Sequence, residues 1–105
     1  MENFNDLLIG YVSEIQTKHD QANQELNEKF GASYYTFKAD KPGKRFVKVL
    51  LKTVGSEMFG SVHCFVEIAT GHIYKPAGWS APAKGIRGNL ANEKRPIFCG
   101  DFYAR

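Results

Sequence analysis

The stretch "RFVKVLLKTVGSEMFGSVHCFVEIATGHIYK", Arg45–Lys75, decides the fold, because its apolar residues recur at every second position. In its first run Val47, Val49 and Leu51 share one side, while Phe46, Lys48, Leu50 and Lys52 share the other. That alternation predicts a strand over about 45–54, with the valine side in the core and the lysine-bearing side partly wet. "GSEMFG" then turns the chain. In "SVHCFVEIA" Val62, Cys64, Val66 and Ile68 point one way and Ser61, His63, Phe65 and Glu67 the other, which predicts a strand over about 61–69. Thr70-Gly71 reads as a tight turn into a short strand at about 72–75.

Upstream, "SYYTFKA" is β-branched and aromatic and predicts a strand over about 33–39. Asp40-Lys41-Pro42-Gly43 joins it to the next strand as a turn. Further back the period lengthens. Phe4, Leu8, Tyr11, Ile15, Ala22 and Leu26 fall on one face, widened by Leu7 and Val12, so residues 3–29 read as one long amphipathic helix. Glu, Gln, Asn and Lys between them form its solvent face. Asn3 or Asn5 caps the start and Gly31 stops the end, while Gly10 weakens the first turns by about 1 kcal/mol.

One helix followed by a meander predicts an α+β fold of a single domain over 1–105. Its long N-terminal amphipathic helix packs on an antiparallel β-meander of about four strands, and a Gly/Pro-rich C-terminal segment follows. That segment divides into a basic loop at 76–96, with a single helical turn near Ala83–Ile86, and a closing piece at 97–105. Ile97–Cys99 or Phe102–Tyr103 would supply an edge strand there.

Several chemistries find no footing. No apolar run approaches the roughly 18 residues of a membrane span, and "MENFND" does not open like a signal peptide, so a cytoplasmic protein without membrane contact is expected. Cys64 and Cys99 read as small thiols in a reducing compartment. The three histidines show no metal-ligand spacing, and His63 and Cys64, adjacent in a strand, are expected on opposite sides. Ser80 in "GWSAP" lies on no nucleophile elbow. Cys99 could act as a thiol nucleophile with His63 or His72 as base, but nothing in the spacing supports that over a buried cysteine, and the acids outside the helix are scattered singly. Neither a cofactor nor catalysis is expected.

Charge is more informative. The net +3 is unevenly spread: residues 1–32 carry six acids against Lys18 and Lys29, and the rest carries twelve cations against five acids. The basic part could meet a phosphate backbone or an acidic protein. Lys38, Lys41, Lys44, Arg45, Lys48 and Lys52 line the first hairpin. Lys75, Lys84, Arg87, Lys94 and Arg95 follow, interleaved with Tyr74 and the sole tryptophan, Trp79. Gly85 and Gly88 flank Arg87 and either let backbone N–H groups approach an anion or simply permit a tight loop. Trp79 either stacks on a ligand or plugs the sheet edge. The candidate binding set is Lys75, Trp79, Lys84, Gly85, Arg87, Gly88, Lys94 and Arg95.

The segment "FVEIATGHIYKPAGWSAPAKGIRGNL", Phe65–Leu90, resembles a group of small bacteriophage proteins sharing a F-V-[DE]-x-A-T-G-x-[VI]-Y-K-x-A-x-W-x-A-P-A-K-x-x-R-x-N pattern. The resemblance covers about a quarter of the chain and carries no agreed mechanism. It implies a phage product acting in the bacterial cytoplasm, by binding rather than catalysis. Nucleic acid is the first partner expected. The alternatives are a host or phage protein that it modulates, a virion accessory role, or a homo-oligomer formed through the N-terminal helix.

Overall fold

A computed structural model describes residues 3–92 and 95–97. Helix α1 spans Phe4–Ala22, and α2 spans Gln24–Phe30. Strands β1 (Tyr35–Ala39), β2 (Phe46–Thr53), β3 (Ser61–Glu67), β4 (His72–Tyr74) and β5 (Gly88–Asn89) form one antiparallel sheet in sequential order. The α+β architecture and the meander agree with the sequence reading. The fifth strand, a two-residue edge beside β4, is additional. Residues 83–86 form no helical turn. The edge strand expected at Ile97–Cys99 or Phe102–Tyr103, like Lys94 and Cys99 themselves, lies outside the described residues apart from Ile97.

Helix α1 starts where Asn3 accepts a hydrogen bond from the Asp6 backbone N–H at 2.9 Å, which satisfies one of the open donors of the first turn. Its buried face runs Leu8, Tyr11, Ile15 and His19, spaced three, four and four. The expected single helix over 3–29 is broken at Asn23. There the backbone N–H and the side-chain amide both donate to the His19 carbonyl, at 2.9 and 2.8 Å. A side chain that bonds the preceding turn in this way competes with the helix ladder. Ala22 at the end of α1 is exposed and α2 buries nothing, so Ala22 and Leu26 drop out of the apolar stripe. It closes at Gly31, whose φ of 68° suits glycine.

The core lies between α1 and one sheet face. Leu8, Tyr11 and Ile15 pack with Phe37, Val47, Val49, Leu51, Cys64, Val66, Ile73 and Leu90. The valine side of β2 is therefore the inner side, as its alternation requires. Each fully buried aliphatic or phenyl side chain here contributes about 1.5–3 kcal/mol relative to exposure.

One irregularity changes the facing of β3. Val49 pairs with Cys64, but Leu50 pairs with Val62, so His63 is an extra residue and the pair carries a β-bulge. The bulge turns His63 and Cys64 to the same, inner side, correcting the expectation of opposite sides. His63 meets His19, with ring centroids 5.5 Å apart, and Phe37 at 5.2 Å. The Cys64 thiol lies 4.0 Å from the Tyr11 hydroxyl.

Two side-chain devices close the core's margins. Gln16 of α1 donates to the Tyr35 carbonyl at 2.8 Å and accepts from the Phe37 N–H at 3.0 Å, covering the outer edge of β1. On the other flank Arg95-Pro96-Ile97 forms a strap beside α1. The Tyr11 hydroxyl donates to the Pro96 carbonyl, and His63 Nε2 lies 2.6 Å from the Ile97 carbonyl. Arg95 ion-pairs with Glu14 at 2.8 Å and lies over the Tyr11 ring.

Candidate functional site

The sheet face turned away from α1 carries the basic and aromatic residues. Along β2 the outward positions are Phe46, Lys48, Leu50 and Lys52, as the period of two dictates. The register sets Lys38 opposite Leu50, and Lys48 opposite Phe65, which in turn faces Tyr74. Phe46 packs edge-on against Phe65 and Tyr74, with centroids 5.9 and 5.7 Å away. These three rings form a rigid base at one end of the face.

Two loops fold over this base and its lysines. The segment after β4 leaves at Tyr74 and returns through a bridge between Pro76 and Pro82. Ala77 N–H donates to the Ala81 carbonyl at 3.0 Å, and Ala83 N–H to the Lys75 carbonyl at 2.7 Å. Trp79 sits at the tip of this arm with its ring 4.4 Å from the Lys48 ammonium, and it remains 49% exposed. The arm thus lies across the outer face. In the loop between β2 and β3, Phe59 covers two more lysines, with Lys38 at 4.4 Å and Lys52 at 5.3 Å from its ring. An ammonium held over a ring face in this way is stabilised by about 0.5–1 kcal/mol at an exposed site.

Beside the Trp79 arm an open cleft of ≈ 300 Å³ runs between Ser80 and the β1–β2 turn. Lys41, Lys44, Arg45 and Lys48 line it against a single acid, Asp40, with Phe46 and Phe65 at its floor. The other acid of this face, Glu67, is committed. It accepts from the Thr70 hydroxyl and from Arg45, each at 2.7 Å. Those two bonds, the Thr70 one foremost, hold its carboxyl below the usual carboxylate range. Glu67 therefore stays ionised and fixes Arg45 over the Phe46 ring at 5.0 Å, while the guanidinium side chain stays 70% exposed.

The residues expected to bind separate into groups. Trp79 joins the first hairpin through Lys48, and Lys75 is half-buried at the root of the arm. Lys84 and Arg87 are exposed on either side of Gly85, whose φ is +96°, in the loop that leads into β5. Arg87 N–H is tied to the Ile73 carbonyl at 2.7 Å. Gly88 does not lie in that open loop. It pairs with Ile73 in β5, and a Cβ there would come within 2.6 Å of Pro96 Cδ, so its small size serves packing. Arg95 faces inward on Glu14 with its side chain 15% exposed, which removes it from the exposed cations. Lys94 is outside the described residues. Tyr74 stands out in the sequence among the cations, but Phe59 and the Phe46 and Phe65 rings that join Tyr74 in the base do not. Their only signals there are the outward register of β2 and an aromatic beside the loop glycine Gly60.

Away from this face the histidine pair is the other notable cluster. Burial, aided by the neighbouring His63, pushes His19 down to about 4, so it is neutral near pH 7. Among the described residues no group of three His, Cys, Asp or Glu is placed to hold a metal ion. No described helix is long and apolar enough to cross a membrane.

Comparison with curated proteins and with solved structures returns no match. A family described as a family of unknown function, DUF7717, matches residues 3–101, nearly the whole chain, so the chain belongs to that family.

Proposed function

We propose that the protein is a non-enzymatic binding module whose outer sheet face and adjoining basic cleft engage nucleic acid. The observation that carries this reading is the Trp79 ring held 4.4 Å from Lys48, beside a cleft lined by four cations and one acid. Cations interleaved with exposed aromatic rings offer a phosphate chain charge and its bases a stacking surface in the same place. Lys75, Lys84 and Arg87 extend the positive field beyond the cleft. The sequence resemblance to bacteriophage proteins makes the bacterial cytoplasm the proposed place of action.

Electrophoretic mobility and fluorescence titration with DNA and RNA at two salt concentrations test the reading. Affinity should fall with salt, with a logarithmic slope of about −0.7 per phosphate neutralised on a single strand and about −0.9 on a duplex. No binding at low salt, or binding indifferent to salt, overturns it.

A second reading, association with a host or phage protein or a second copy through the helices, draws on Ile9, Leu26 and Phe30, which are 68%, 37% and 48% exposed. Light scattering and a lysate pull-down address it, and a stoichiometric partner or a stable oligomer favours it.

A further inference from the structure

We propose that the nucleic acid taken by this face is single-stranded, with bases stacking on Trp79 and Phe59 and phosphates passing over Lys38, Lys48 and Lys52. This deepens the reading above and rests on it.

Lys48 and Lys52 lie on the same side of β2 four residues apart, a separation of about 13 Å along an extended strand. Trp79 covers the first and Phe59 the second, so each end of the lysine row carries a ring. Between the rings Leu50, paired with Val62, is only 4% exposed, so the side chains around it cover this stretch of β2. Lys38 stands opposite Leu50 in the register. A chain laid along β2 thus meets Trp79 with Lys48 at one end, Lys38 between, and Lys52 with Phe59 at the other.

A double helix cannot use this arrangement. Its base faces are stacked inside, and only edges reach the grooves. Groove reading commonly inserts a helix, but α1 packs on the opposite sheet face and α2 is only seven residues long. The first 32 residues, which contain those helices, carry six acids against two cations and would meet phosphates with repulsion. Ring surface left open, on the 49% exposed Trp79 and the half-buried Phe59, is of use only to bases already unstacked, as in a single strand. The Trp79 arm is also pre-shaped by its Pro76–Pro82 bridge and the Ala77–Ala81 hydrogen bond, so little ordering is needed when a base arrives. Lys48 occupies one side of the indole, and the exposed remainder is where a base would lie.

Trp79 is the sole tryptophan, so emission excited selectively at the indole, beyond tyrosine absorption, reports this site alone. The test titrates the whole protein at low salt with four labelled probes: oligo(dT), oligo(U), an abasic strand of equal phosphate count, and a hairpin duplex. Strands of about twelve nucleotides fall within the site sizes usual for sheet-based single-strand binders. Expected is quenching of Trp79 by oligo(dT) or oligo(U), with anisotropy-measured binding about tenfold or more tighter than for the abasic strand and the duplex. The two homopolymers decide between DNA and RNA. Trp79→Ala and Phe59→Ala should each weaken single-strand binding by about 5- to 150-fold, the equivalent of ~1–3 kcal/mol for one stacked base, and leave duplex binding unchanged. Circular dichroism verifies that each variant is folded, and the abasic comparison on the unaltered protein needs no variant. If abasic and duplex probes bind as tightly as oligo(dT) and oligo(U), or Trp79 emission does not change on binding, the single-strand proposal is overturned while the nucleic-acid reading stands. Absence of binding by all four probes at low salt overturns both.

Discussion

Acidification should destabilise this protein through His19 before its carboxylates matter. His19 is 1% exposed, on the inner face of α1, with Phe37 at 4.5 Å, Tyr35 at 5.7 Å and His63 at 5.5 Å between ring centroids. The Ile97 backbone and then Asp20, its neighbour on α1, pull the other way but more weakly than burial. The folded-state value near 4 lies below the ordinary 6.5, so the unfolded chain takes up the proton first. The contribution is therefore fully present above pH 6.5 and is lost as pH falls toward 4. The drop from 6.5 to about 4 corresponds to about 3 kcal/mol in full, of which about 2 kcal/mol is lost between pH 8 and pH 5. Urea unfolding at half-unit pH steps measures this directly, and the limiting slope is about 1.4 kcal/mol per pH unit. Glu67 also loses stabilisation on acidification, but only as pH falls through its ordinary 4.5 toward its lowered value, so pH 6.5 to 5 isolates the histidine. His19→Phe keeps a ring against Phe37 and should flatten the slope in that window, whatever it does to absolute stability. A wild-type profile flat from pH 7 to 5, or an unchanged slope in His19→Phe, refutes the reasoning.

Three further outcomes are expected. Gly88→Ala places a methyl within 2.6 Å of Pro96 Cδ and should cost about 1–3 kcal/mol in thermal or urea unfolding. Pro96→Ala in the same chain should recover much of that loss, and strictly additive effects would show that the two do not touch. Gln16→Ala strips the 2.8 and 3.0 Å bonds from the β1 edge. It should cost about 1–3 kcal/mol and promote concentration-dependent association seen by light scattering; unchanged stability would mean water replaces the amide. Lys48→Met removes the cation over Trp79 and should reduce the salt dependence of single-strand binding by about 0.7 in logarithmic slope, and an unchanged slope would place the phosphate elsewhere.

The periodic part of this protein is legible in its residues alone. Alternation along Val47, Val49 and Leu51, and the three-four spacing of Leu8, Tyr11 and Ile15, set the α+β class, the order of the strands and the buried faces. These are local properties, since each depends on the dihedral period of one segment and on which side chains water rejects. Tertiary structure decided what depends on a partner far along the chain. His19 continues the apolar stripe although it is polar, because Phe37 and His63 surround it. His63 faces inward only because a bulge against β2 adds a residue, and no period in β3 announces it. Arg95 reads as one cation of a basic run, yet it turns inward to Glu14, 81 positions earlier. Trp79 could have plugged an edge or stood free. Its place over Lys48 is set by how the proline-bridged arm crosses the sheet, and that crossing turns a basic composition into a surface with cations and rings in alternation.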